Sequence, residues 1–144
     1  MSMFSPNPNA EANLAFDIAK PGQYRLRIEG STNMPGVSDP IPSKSTPGNM
    51  VMKVRLVFAD PTAVYTLKDE VAKNLGSIID NSLVTQPAEK QGKLRSLVES
   101  AGIVWADFTD TQMLMGKEVT AVLGVEEYNG DQKNTVKRYL KPQI

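Results

Sequence analysis

Residues Gly116 to Lys141 read G-K-E-V-T-A-V-L-G-V-E-E-Y-N-G-D-Q-K-N-T-V-K-R-Y-L-K. Val119, Ala121, Leu123 and Val125 alternate with mostly polar neighbours, the period of a strand with one face in a core. Asn129-Gly130 is a dipeptide that tolerates the positive φ angles of a tight hairpin turn. With those two as turn residues, Glu126 faces Lys133, Leu123 faces Val136 and Thr120 faces Tyr139. Thr135, Lys137, Tyr139 and Lys141 then share one face of the returning strand, basic with an aromatic in its middle. Arg138 falls on core parity. That leaves two readings for it: a side chain snorkelling out at a barrel mouth, or a bulge.

Working back toward the N-terminus, Pro87 opens A-E-K-Q-G-K-L-R-S-L-V-E-S-A-G, in which Leu94, Leu97, Val98 and Ala101 form a helical stripe that Gly102 ends. S-I-I-D-N-S-L-V-T before it reads as a strand. Val64, Leu67, Val71, Leu75 and Ile78 have helical spacing, and Thr66 with Asp69 offers a cap, so a short helix is predicted there, against the strand character of Tyr65-Thr66. The longest β pattern is N-M-V-M-K-V-R-L-V-F-A-D, with Met50, Met52, Val54, Leu56 and Phe58 on one face and Lys53 and Arg55 on the other. Residues 31–48 carry Pro35, Pro40, Pro42 and Pro47 with Gly36 and Gly48, which rules out a helix or a central strand and predicts a long loop bearing Lys44. Tyr24, Leu26 and Ile28 alternate with Arg25 and Arg27 on a first strand. Residues 1–20 are expected to form a flexible N-terminal arm, pinned late by Leu14, Phe16 and Ile18, and residues 21–144 a single domain.

The order strand, strand, strand, helix, strand, strand predicts a mainly β chain folded as a five-stranded OB-like barrel, with its one main α-helix between strands three and four. The proline-rich loop and the Asn129-Gly130 turn occupy the places of the two binding loops of such a barrel.

Composition narrows the chemistry. The 144 residues include no Cys and no His, which removes thiol chemistry, imidazole catalysis, the Ser-His-Asp triad and the usual zinc sites. Asp60, Asp69, Asp80, Asp107 and Asp110 match no metal loop, and Gly116-Lys117 lacks the remaining residues of a phosphate loop. A non-enzymatic protein without metal or cofactor is expected. No apolar run is long enough to span a bilayer and no signal peptide is visible, so a cytoplasmic protein without a membrane role is expected. Sixteen basic residues balance sixteen acidic ones, so an anion-binding surface has to come from segregated charge.

Three strands supply such segregation: Arg25 and Arg27, then Lys53 and Arg55, then Lys137 and Lys141 around Tyr139. A groove that tracks a phosphodiester backbone uses such cations, with aromatics stacking on bases. Tyr139 and Tyr128 are the stacking candidates, and Lys44 and Lys133 sit on the two loops. The ordinary reading of each is a solubilising surface cation, and Glu29, Glu118 and Glu126 share the same faces by parity.

Four blocks, P-G-Q-Y-R-L-R-I, P-S-K-S-T-P-G-N-M-V-M-K-V, K-L-R-S-L-V-E-S-A-G-I and M-G-K-E-V-T-A-V-L-G-V-E-E-Y-N-G, resemble in order and spacing a family of phage-encoded single-stranded-DNA-binding proteins of the OB-fold type. The resemblance spans about Pro21 to Lys141. It implies a protein that coats single strands during phage replication or recombination in the host cytoplasm, as a homodimer or alongside replication or recombination proteins. Ser43, Lys44 and Ser45 stand where such a family carries a polar, basic loop. The chain ends L-K-P-Q-I instead of in the acidic tail by which many such proteins recruit partners. RNA in place of DNA, or a structural or adaptor role in a phage particle, are the rival expectations.

Overall fold

Each long strand has one apolar face to remove from water, and a sheet that curls around those faces is the economical solution. The computed structural model describes residues 3–6 and 16–141. Among them are β1 (Gly22–Ile28), β2 (Ile41–Pro42), β3 (Met50–Phe58), β4 (Ile78–Gln86), α1 (Gly92–Ser100), β5 (Glu118–Tyr128) and β6 (Asp131–Leu140). The chain is mainly β: the six strands form one antiparallel sheet and α1 is the single α-helix among the described residues. One edge of β3 pairs with β4; its other edge is shared by β1 at one end and β2 at the other. β5 then pairs with β1, and β6 with β5. The end strands β4 and β6 approach one another but share no backbone ladder, so the sheet is not closed.

The core gathers Leu26 and Ile28 of β1, Met52, Val54 and Leu56 of β3, Leu83 of β4 and Val119, Ala121 and Leu123 of β5. Leu94, Leu97 and Val98 of α1 pack against them, with α1 lying against β4, β5 and β6. Burying each such Leu or Val contributes about 1.5–3 kcal/mol. Gly102 ends the helix at φ +81°, its N–H and that of Ile103 donating to the carbonyls of Glu99 and Val98. The Ser100 hydroxyl accepts from the Thr120 N–H at 2.9 Å and donates to its carbonyl at 3.2 Å, stitching the helix end to β5.

Two expectations need correction. The proline-rich loop contributes a sixth strand: Ile41 and Pro42 pair with Val51 and Met50, and Val37 bridges to Val54. A two-residue edge strand is compatible with proline, which has no N–H for a second neighbour. The loop is therefore laid against β3 instead of standing free. The helix predicted between residues 63 and 79 is absent. In its place are a 3-10 turn at Pro61–Ala63 and a tight turn in which Tyr65 bridges to Val71 around Asp69 at φ +61°. Of the apolar residues that suggested a helix, Leu67 and Val71 are exposed, so there is no continuous apolar stripe to bury. The arm expected over residues 1–20 lies mostly outside the described residues, Leu14 included. Its last residues belong to the fold: Ala19 is fully buried, Asp17 bridges to Leu75, and Lys20 pairs with Asp69.

Gly36 shows how tightly the loop is seated. A Cβ there would lie 2.8 Å from backbone atoms of Glu29 and Gly30, while the Gly36 carbonyl accepts from the Arg55 N–H. Gly36→Ala is expected to cost about 1–3 kcal/mol by forcing these backbones apart, read as a lower urea midpoint with an unchanged m-value.

Candidate nucleic-acid interface

The outward residues of β1 and β3 are set by strand parity. Arg25 and Arg27 alternate with buried Leu26 and Ile28, and Lys53 and Arg55 with buried Met52, Val54 and Leu56. Because β1 and β3 are neighbours, Arg27 lies opposite Val57, and the Glu29 N–H donates to the Arg55 carbonyl one step further on. Four cations therefore occupy two adjacent strands, about 4.8 Å apart. On the other side of β1, Arg27 faces Glu118 and Arg25 faces Thr120.

The carboxylates that share this face by parity do engage it. Glu118 accepts from Arg25 at 3.0 Å and from Arg27 at 3.2 Å, and Glu29 accepts from Arg27 at 3.3 Å. The Arg27 guanidinium is held further above its ordinary range by the bond to Glu29 and then by that to Glu118. These groups are well exposed, so such pairs add little stability, and a phosphate can compete for the same N–H groups. Arg55 is different. Its Nη1 donates to the Glu29 carbonyl at 3.0 Å and the Gly30 carbonyl at 3.2 Å, which fixes the guanidinium plane with no carboxylate on it among the described residues. Among the described residues the Nη2 and Nε donors make no such bond and can donate to an anion. Lys53 is likewise without an ion pair among the described residues.

The third strand does not join this group as expected. The register Glu126–Lys133 and Leu123–Val136 is found, and Asn129 and Gly130 turn at φ +52° and +83°. Beyond Leu123 the ladder slips: Val122 pairs with Arg138, leaving Lys137 as an inserted residue. Arg138 thus marks a bulge, and both Lys137 and Arg138 are exposed. The slip reverses the parity of every residue beyond it on β6. Thr120 meets Leu140, and Tyr139, expected on the basic face, pairs with Ala121 and is 5 % exposed in the core. It is unavailable for stacking. Lys137 lays its stem across Gly124 and reaches Glu126 at 3.4 Å. Lys141 turns to Glu99 of α1, at 3.0 Å. Lys44 is exposed at the tip of the β2–β3 hairpin, and Lys133 is exposed beside the Asn129-Gly130 turn. The Tyr128 side chain lies outside those described.

Sequence reasoning missed Asp80. It is 5 % exposed and accepts from the Tyr139 hydroxyl at 2.6 Å, from the Ser82 hydroxyl at 2.6 Å and from the Ser82 N–H at 3.0 Å. The Lys93 ammonium of α1 stands 3.3 Å from it and also donates to the Val136 carbonyl at 3.0 Å. This network joins β4, α1 and β6 across the gap where the sheet has no ladder. Its signal was parity: Asp80 sits two residues from Ile78, on the face that this part of the strand buries. Asn134 was also missed. Its side-chain amide accepts from the Ala19 N–H and donates to the Ala19 carbonyl, both at 2.9 Å, acting as a strand partner for the incoming chain.

A cleft of about 670 Å³ lies between Phe16, Gly76, Ile78 and Asn134. Asp17, Asp131 and Lys133 are the ionisable groups on its walls, which gives it no cationic character. No group of three or more metal-ligating side chains occurs among the described residues, and no described helix is long and apolar enough to cross a membrane. No protein-family model matches the chain, and no curated protein matches it in sequence.

Proposed function

We propose that this chain binds single-stranded nucleic acid, in the first place DNA, across the outer face of β1 and β3, without enzymatic activity. The observation that carries the reading is Arg55: a guanidinium oriented by two backbone carbonyls, with donors to spare, between Lys53 on its own strand and Arg27 on the next. Phosphates spaced along a backbone are the ligand that such a row of fork-shaped and point cations suits. The strand order β4-β3-β1-β5-β6, with the helix between β4 and β5, supports an OB-type barrel drawn together by side chains at the β4–β6 gap. On this reading Lys44 and Lys133 flank the bound strand from their turns, and Arg25 and Arg27 exchange Glu118 for phosphate. A role in phage replication or recombination is the context that the resemblance offers.

Anisotropy of a labelled oligo-dT, measured from about 50 to 200 mM salt, tests the reading. Binding is expected to weaken with a log–log slope of about −0.7 per phosphate contacted, so three or four contacts give a slope of about −2 to −3. It is expected to persist against duplex competitor. Absence of binding at the lowest salt would overturn the proposal in favour of a structural or adaptor protein, which has no need to neutralise phosphates. Equal competition by oligo-U would extend the ligand class to RNA.

A further inference from the structure

The β1–β3 face offers phosphate contacts but has no described aromatic free to receive a base. Tyr139 is in the core, and Tyr24 and Phe58 pack edge to face with centroids 5.4 Å apart. Two adjoining clefts lead away from that face. The first, about 400 Å³, runs from Arg25 and Glu118 to Gly102 and Lys141. The second, about 550 Å³, starts at the same Gly102 and Lys141 and is lined by Ile103, Val104 and Trp105, with Arg95 at its edge. Shared walls make them one track around the C-terminal end of α1.

We propose that a strand bound across β1 and β3 continues along this track and stacks a base on Trp105. This rests on the single-strand reading and adds a subsite to it. Charge complementarity favours a phosphate-bearing occupant: Arg95 at 2.7 Å and Lys141 at 3.0 Å share the single carboxylate Glu99, so two cations meet one anion where the clefts join. The floor beyond is apolar, with Val104 64 % exposed. Trp105 is firmly held, stacked on Phe108 with centroids 6.0 Å apart and packed against the core, while what remains open of it lines the cleft. A cation pair followed by a fixed indole is the arrangement that holds a phosphate and receives the adjoining base.

Trp105 is the only tryptophan of the chain, so tryptophan emission, excited at wavelengths that its tyrosines do not absorb, reads this cleft alone. Titration of the full chain with unlabelled oligo-dT is expected to quench that fluorescence along the same isotherm as the anisotropy of labelled oligo-dT. Val104→Asp, on an exposed residue that the fold does not need, is expected to weaken binding about tenfold and to suppress the quenching, since stacking on one aromatic carries roughly that factor or more. Anisotropy that rises while tryptophan emission stays constant would overturn the Trp105 subsite and leave the β1–β3 reading standing. Loss of both signals would overturn both. Quenching by an acidic peptide and not by oligo-dT would overturn the subsite in favour of a peptide groove.

Discussion

Asp80→Ala is expected to lower the stability by about 2–4 kcal/mol, more than its small change in volume would suggest. The substitution strips the buried Tyr139 hydroxyl of its acceptor and leaves Lys93 without its carboxylate. Lys93 is 28 % exposed and can turn partly to water, which keeps the loss below that of a fully enclosed pair. Tyr139→Phe removes one hydrogen bond and is expected to cost about 1 kcal/mol, and the double variant should cost less than the sum, because both changes break the same contact. Urea melts of the four proteins check this.

The same contact sets an alkaline limit. Burial first, and then the charge of Asp80 and the hydrogen bond to it, raise the Tyr139 pKa well above the ordinary tyrosine value. The folded state therefore keeps a proton that the unfolded chain releases near pH 10, so the contribution is complete below about pH 10 and is lost as pH climbs toward the folded value. The slope from this one group is about −1.4 kcal/mol per pH unit, and Tyr139→Phe should lack it. Tyr24, whose hydroxyl burial also shifts upward, is common to both proteins and cancels in the comparison. Equal alkaline slopes would contradict the assignment.

Arg55→Glu is expected to give the largest loss of single-strand binding, about 10- to 100-fold at 50 mM salt, because it removes an oriented cation and places a repelling charge between Lys53 and Arg27. The salt slope should become shallower by about 0.7–1, the signature of one lost phosphate contact. Arg55→Lys keeps the charge but lacks the planar fork that two carbonyls hold, so an intermediate loss with a nearly unchanged slope is expected. Since Arg55 also ties the Glu29-Gly30 backbone, thermal melts of both variants separate a loosened loop from a lost contact. Unchanged affinity in a folded Arg55→Glu protein would remove the β1–β3 face from consideration.

Much of this architecture was legible because period-two alternation and turn chemistry are local. The β5–β6 hairpin could be registered from Asn129-Gly130, and β1, β3, β4 and α1 from their apolar spacing. The outward placement of Arg25, Arg27, Lys53 and Arg55 follows from the same parity. The error at Tyr139 arose from one inserted residue, Lys137, with no glycine to mark it; the sole trace was an arginine on core parity. The error at residues 63–79 came from treating spacing as sufficient where Leu67 and Val71 have no surface to pack against. Asp80 escaped because its partners Lys93 and Tyr139 are 13 and 59 residues away, and no local pattern records such a meeting. The engagement of Glu118 and Glu29 with the arginines was visible as shared parity, but their bond lengths depend on the curl of the sheet.

The gap between β4 and β6 also bears on how the chain behaves among its own copies. An open sheet ends in two rows of unpaired N–H and C=O groups, and such rows recruit strands from other molecules, the first step toward fibrils. Here β4 and β6 lie near each other, with Tyr139 on Asp80 and the Lys93 ammonium occupying the Val136 carbonyl, while the Lys137 bulge interrupts the regular run of β6. Side chains at one seam thus act as the guard against self-templating that a barrel obtains from its last ladder of backbone hydrogen bonds.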